Sequence, residues 1–144
     1  MNSDQASNQA FDDVTGLVGT ISDPINGNLV NTIAIDNVNV AGQISLRSSG
    51  SMLILDFDLA ANSPIEIEAD YADRTIWFNG FAQLESSGTT VSAKSGNVTL
   101  GMEGKRRYAV YMQNGGERSV TFNLRFFAGG EVVHEASLRY DPAK

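Results

Sequence analysis

The chain has 144 residues, a formal net charge of −7 and no cysteine. That length suits one domain with a substantial core. The missing thiols exclude disulfides, thiol nucleophiles, iron–sulfur clusters and cysteine-held zinc, and the single histidine, His134, excludes a two-histidine metal site within one chain. An acidic chain is a poor partner for nucleic acid, whose affinity rests on cations against phosphate. No apolar run approaches the ~18 residues of a membrane-spanning helix.

Residues 1–11 are polar and are expected to form a flexible N-terminal segment, leaving 12–144 as one domain. The start, Met1-Asn2-Ser3-Asp4-Gln5-Ala6-Ser7, reads as a mature or trimmed one, with no visible signal peptide. The first strand signal spans 14–21 and ends in Ser22-Asp23-Pro24-Ile25-Asn26-Gly27, which is turn chemistry. A second spans 29–36 and continues toward Val40, with a phase break near Asp36-Asn37 that suggests a bulge. Strands over 43–47 and 52–59 flank Ser48-Ser49-Gly50. Ala61-Asn62-Ser63-Pro64 then leads into a strand over 65–71, expected to pair with 52–59 as a hairpin.

Further strands are predicted over 74–84, 89–93, 97–102, 106–113, 118–127 and 131–140. The clearest is 118–127. Val120, Phe122, Leu124 and Phe126 alternate with Ser119, Thr121, Asn123 and Arg125, so one face is dry and the other wet. Asn114-Gly115-Gly116 and Ala128-Gly129-Gly130 are expected to join the last three strands as a meander. In the segment 74–84, Asn79-Gly80 allows two readings. One is a single strand with Trp77 and Phe81 on the same face; the other is a hairpin around an Asn-Gly turn.

Nine to eleven short strands and no helical period predict an all-β, two-sheet antiparallel β-sandwich. The expected arrangement is similar to immunoglobulin-like domains, without their inter-sheet cysteine pair. A jelly roll is the alternative.

Two groups of side chains carry chemistry. Alternation sends Asp56 and Asp58 outward on one strand, and Glu66, Glu68 and Asp70 outward on the next. With Asp73, and with Asp36 as an extra ligand, these carboxylates are candidate ligands for Ca²⁺, which takes six to eight oxygens. Against calcium, no Asp-x-Asp-x-Asp-Gly loop is present, and an unoccupied, solvated acidic face is the simpler reading. Glu66-x-Glu68-x-Asp70 is loosely similar to the Glu-x-Asp-x-Glu of laminarinase-like glycoside hydrolases. That likeness implies retaining chemistry with carboxyls ~5–5.5 Å apart. The chain is short for a sandwich with an added cleft, so a non-catalytic protein is expected.

The second group is aromatic. Trp77, Asn79, Phe81 and Tyr111 form a candidate ligand-binding set for sugars, whose ring faces stack on aromatics while amides bond their hydroxyls. Tyr111 is out of phase with Tyr108, Val110 and Met112, so one tyrosine faces outward. His134 is expected to be packed or half-buried. Asn97-Val98-Thr99 fits a glycosylation sequon.

Charge is uneven along the chain. Residues 1–73 hold eleven acids against one base, and 74–144 hold nine bases against six acids. Local pairing between interleaved halves explains this most simply; head-to-tail attraction between copies is the alternative. The functional expectation is a binding or assembly protein acting outside the cytoplasm, in a secreted, periplasmic or particle-surface setting. Its partner would be a protein, a glycan or a second copy, and no cofactor other than calcium is suggested.

The strand phase over 118–127 is testable. Phe122→Ala is expected to cost ~3–5 kcal/mol and Thr121→Ala well under ~1 kcal/mol. Equal costs in denaturant unfolding would overturn the phase.

Overall fold

A computed structural model describes residues 14–15, 27–71, 76–83, 89–94, 96–114 and 118–142. The expected flexible segment 1–11, most of the strand predicted over 14–21, and Asp73 lie outside the described residues. Nine strands are described: β1 (Val14–Thr15), β2 (Asn28–Asp36), β3 (Val40–Ser49), β4 (Met52–Asp70), β5 (Ile76–Gln83), β6 (Thr90–Lys94), β7 (Asn97–Asn114), β8 (Val120–Ala128) and β9 (Glu131–Tyr140). Every pairing is antiparallel.

The architecture is the expected all-β antiparallel sandwich, built around two long strands. β4 pairs with β7 from Met52↔Gln113 to Asp70↔Asn97, with one register shift between Ala61 and Ile65. The first half of β4 also pairs with β3, and its second half with β8. Likewise the later part of β7 pairs with β5 and its start with β6. The first sheet therefore runs β2-β3-β4-β7-β5, and the second runs β9-β8-β4-β7-β6-β1. Both sheets share the β4–β7 ribbon.

The ribbon bends where the sheets meet. Ala61 faces Gly104 and Ile65 faces Met102, so Asn62, Ser63 and Pro64 lie against Glu103 alone. Pro64 has no N–H to contribute to a ladder, which suits a bulge. Gly104 has φ of 80°, a conformation that a side chain disfavours. The Tyr108 hydroxyl donates to the Met102 sulfur at 3.4 Å. Six residues of straight strand would span ~20 Å, farther than those two side chains reach, so β7 folds over between them.

Folding the ribbon brings the dry faces together. Ile44, Leu46, Leu55 and Phe57 of the first sheet share one buried cluster with Ile67, Leu100, Phe122 and Phe126 of the second. Tyr108 stacks on Phe57 with ring centres 4.9 Å apart and also meets Phe81 at 5.7 Å. One open side of the sandwich is tied by Asn37, whose Nδ2 donates to the Val133 carbonyl at 2.9 Å.

Several local expectations are corrected. The segments 52–59 and 65–71 are not a hairpin but one strand, because β7 offers a continuous partner to both. The segments 97–102 and 106–113 are likewise one strand. Asp36-Asn37 is not a bulge but the start of a turn, closed by Asn37 N–H to the Val40 carbonyl at 3.1 Å; the bulge in β2 lies at Val30. The meander is half right. Gly129 and Gly130, with φ of 60° and 84°, make a tight β8–β9 hairpin of the type that needs both values positive. β7 does not pair with β8, because β4 and β5 already flank its end. Instead the chain crosses to the other sheet, and the buried Asn114 clamps that crossing through bonds with Arg118 N–H and carbonyl.

Two tyrosines sit in or against the core. Burial pushes the Tyr108 hydroxyl far above the ordinary tyrosine range. Burial also raises Tyr71 from 10.0 to about 12, with a Gly96 backbone hydrogen bond opposing and Asp70 adding. A raised folded value means that the unfolded chain ionises first. The stability from the Tyr71 hydroxyl is therefore complete below pH 10.0 and lost as pH climbs through about 12, and the window for Tyr108 lies higher still. Phenolate absorbance from Tyr71 and Tyr108 is expected later than that of ordinary tyrosines, near pH 12 for Tyr71 or together with unfolding; in Tyr71→Phe and Tyr108→Phe the missing signal should be that late one. Early phenolate signal from either in a folded protein would refute their burial.

Candidate binding face

The outer face of the first sheet collects Asp56, Asp58, Trp77, Asn79 and Tyr111 from the side chains that sequence analysis singles out. Cross-strand partners point to the same side of a sheet. Three rows follow from the registers. Gln43, Asp58 and Arg107 form one row, and Ser45, Asp56 and Ala109 the next. Arg47, Ile54, Tyr111 and Gly80 form the third. Beyond them Met52 faces Gln113, which faces Trp77.

The polar end is an ion-pair cluster. Asp56 is only 5% exposed although it points away from the core. Arg107 donates to it from Nη2 at 3.2 Å and from Nε at 3.4 Å, and Arg47 Nε lies 3.7 Å from its Oδ2. Asp58 sits 3.5 Å from Lys105 Nζ. Ser45 shares a 3.0 Å hydrogen bond with Thr32. Gln43, Ser45, Arg47, Asp56, Asp58 and Arg107 line a hollow of about 140 Å³. β3 lies close over β4 beside it because residue 42 is glycine: a Cβ there would fall 2.1 Å from the Asp58 carbonyl oxygen.

The aromatic end is flatter. β5 is one strand, not a hairpin, and Asn79 is the extra residue of a bulge between Phe78 and Gly80. The bulge shifts the phase, so Trp77 and Phe81 do not share a face. Trp77 points outward and is 49% exposed, whereas Phe81 is in the core at 0%. Phe81 therefore leaves the candidate ligand set, because its ring is covered by Tyr108. The other three come together. Trp77 lies diagonally across from Tyr111, with Gly80 beside Tyr111 offering no side chain. Asn79 reaches over β7, where its Nδ2 lies 3.7 Å from the Met52 sulfur. Gln113 Nε2 donates to Ser51 Oγ.

The calcium candidates do not converge. Asp56 and Asp58 lie on the first sheet, whereas Glu66, Glu68 and Asp70 lie beyond the bend on the second. Both groups face outward as predicted, but from different sheets, because 52–70 is a single strand. Asp36 lies on the edge strand β2, and Asp73 lies outside the described residues. Among the described residues no group of three acidic or histidine side chains is placed to hold an ion. Arg125 holds Glu68 from Nε at 3.0 Å and through a second, shorter bond from Nη2, and Asn97 Nδ2 donates to it at 2.9 Å. A hollow at Pro64, Ile65, Phe127 and Gly129 includes Glu66 but neither Glu68 nor Asp70. The sequon asparagine is thus engaged inside a strand paired on both sides. His134 is half-buried with its ring edge-on to Phe126, centres 5.5 Å apart.

What sequence reasoning missed was the polar hollow. Arg47 and Arg107 were visible as charges, but only strand register brings both beside Asp56. These pairs, with Asp58–Lys105 and Glu68–Arg125, join acids of the first half of the chain mostly to bases of the second. Local pairing thus accounts for three of the eleven first-half acids.

No family model matches the chain, and no curated protein matches its sequence. Among solved structures the chain is similar to the GAE domain of GGA2p from Saccharomyces cerevisiae, with 15% identity over 80% of this chain and 94% of that one and a TM-score of 0.32. It is also similar to the N-terminal domain of PorA, with 11% identity over 76% of this chain and 95% of that one and a TM-score of 0.32. The sandwich assignment stands on the strand pairing above, and function is argued from the face itself.

The Asp56 cluster and the Glu68 pair should respond differently to truncation. Asp56→Ala strands two guanidiniums around a nearly buried position and is expected to cost ~3 kcal/mol or more. Glu68→Ala breaks a partly exposed pair and should cost ~1 kcal/mol or less. Denaturant unfolding of both variants checks the contrast; equal costs would mean that Asp56 is not a structural anchor of the face.

Proposed function

We propose that this chain is a non-catalytic binding domain whose outer first-sheet face takes up a glycan. One observation carries the reading. An exposed Trp77 and the outward Tyr111 lie beside Gly80, which has no side chain, next to a hollow walled by Arg, Asp, Gln and Ser. Sugar rings present C–H faces that rest on aromatic rings, and hydroxyls that both donate and accept. The aromatic end supports the first contact, and the amides, carboxylates and guanidiniums support the second. A flat sheet suits an extended ligand lying along it better than a small molecule that needs enclosure.

Catalysis and calcium form no part of the reading. It sets the protein outside the cytoplasm, where polysaccharide surfaces are met. A protein partner on the same face is the second reading, since exposed tryptophan with arginine is also the composition of protein-binding hot spots.

The single tryptophan makes the test direct. Titration with a broad panel of polysaccharides is expected to quench or shift Trp77 fluorescence for some of them. A Cβ at Gly80 meets nothing within 4 Å, so Gly80→Val should fold normally while obstructing the platform. Affinity, measured by calorimetry, should fall by about tenfold or more, ~1.4 kcal/mol, in Gly80→Val and in Trp77→Ala. No response across the panel would overturn the glycan reading; binding unaffected by both variants would move the ligand elsewhere.

A further inference from the structure

Edge strands are where a sandwich is open to other chains, because one side of the backbone has no partner within the sheet. Among the described residues the long edges are β2 and β5 of the first sheet and β9 of the second. They are guarded differently. β9 carries Glu131, Glu135 and Arg139 and is kinked by a bulge near Val133. β5 is interrupted in mid-strand by the bulge at Asn79. β2 has no charged residue from Asn28 through Ile35, and its bulge at Val30 falls near its start. Asn31, Thr32, Ile33, Ala34 and Ile35 therefore form a regular, uncharged ladder. Exposed apolar side chains gather on the same side. Among the described residues, Leu29, Val30, Val38 and Val132 are prominently exposed around β2 and β9, and only Trp77 is so exposed on the other side.

We propose that β2 pairs with β2 of a second copy of this chain, antiparallel across a two-fold axis. Two conditions limit the register, and the middle of the regular ladder over 31–35 fixes it. Facing residues must point to the same side of the joined sheet, so paired numbers must sum to an even value. Like charges must not meet. Centring the axis on Ile33 satisfies both: Ile33 meets Ile33 of the second copy, Thr32 meets Ala34, and Asn31 meets Ile35. Asp36 falls outside this window. Charge selects the site as well. Each copy carries −7, so two copies repel at long range. β2 is the long regular edge where they approach without carboxylates facing each other. A two-fold contact also closes on itself and stops at the dimer.

This contact is independent of the glycan face, and its test uses the full chain with no glycan present. Light scattering at two protein concentrations should give a mass of two chains that grows more populated with concentration. Added salt should strengthen it by screening the net charge, whereas head-to-tail attraction of opposite charges would weaken. Ala34→Lys and Ala34→Glu, at an exposed outward position, should each weaken dimerisation by about tenfold or more with an unchanged unfolding midpoint. Ser137→Lys on β9 should leave the dimer intact. A monomer under all conditions overturns the proposal. So does a dimer indifferent to both Ala34 variants, or one equally broken by Ser137→Lys. Trp77 titrations in these variants read the glycan face separately.

Discussion

The structure depends on one ladder, the pairing of β4 with β7 along almost their whole lengths. Each strand is too long to stay flat in a small domain. Between Ala61 and Ile65 the ribbon folds, and everything placed on one half faces everything placed on the other. The two extra residues of β4 and the glycine of β7 make this bend feasible: one strand supplies extra path, the other a backbone free of a side chain. The core is the space the fold encloses. Because both sheets contain the same two strands, the sheets cannot slide apart without breaking the ladder.

The same ribbon organises charge. β4 brings the carboxylates and β7 and β8 bring many of the bases, so antiparallel pairing sets Asp56 and Asp58 beside Arg107 and Lys105, and Glu68 beside Arg125. Three acids of the first half are thereby paired with bases of the second within one molecule, and the chain keeps a net charge of −7. Asp56 differs from the rest. It is nearly buried without entering the core, because its neighbours on the outer face close around it. That makes it a rigid wall of the polar hollow, whereas Glu68 and Arg125 remain a surface pair.

Two features stand out on the remaining surface: the outer face of the first sheet and the edge at β2. The face owes its flatness to a missing side chain at Gly80 and its aromatic end to the bulge at Asn79, which turns Trp77 out while Phe81 packs in. The edge owes its character to an absence of charge. At the face a local irregularity, the bulge at Asn79, creates the feature; at the edge a regular ladder without charge does. A binding or assembly role is consistent with such a surface.

The sequence alone determined strand identity and side-chain phase. Alternation is a local property with a period of two, so Phe122, Phe57 and Leu55 were assigned inward and Asp56, Asp58, Glu66 and Glu68 outward from their neighbours alone, and the structure agrees. Turn glycines at 129 and 130 were equally local. Which strand lies beside which was decided only in three dimensions. Asn62, Ser63 and Pro64 carry the composition of a turn whether the chain reverses or merely bends. The choice was made by β7, more than thirty residues downstream, offering partners to both halves of β4. The hairpin expected there gave way for that reason, and with it the placing of Asp56 and Asp58 on one surface with Glu66, Glu68 and Asp70; the meander from β7 to β8 gave way because β4 and β5 already flank the end of β7. Asn79-Gly80 was settled likewise, since a continuous β7 keeps both sides of the dipeptide in one strand. Composition specifies what a segment can do locally; competition among backbone partners, which is non-local, selects what it does.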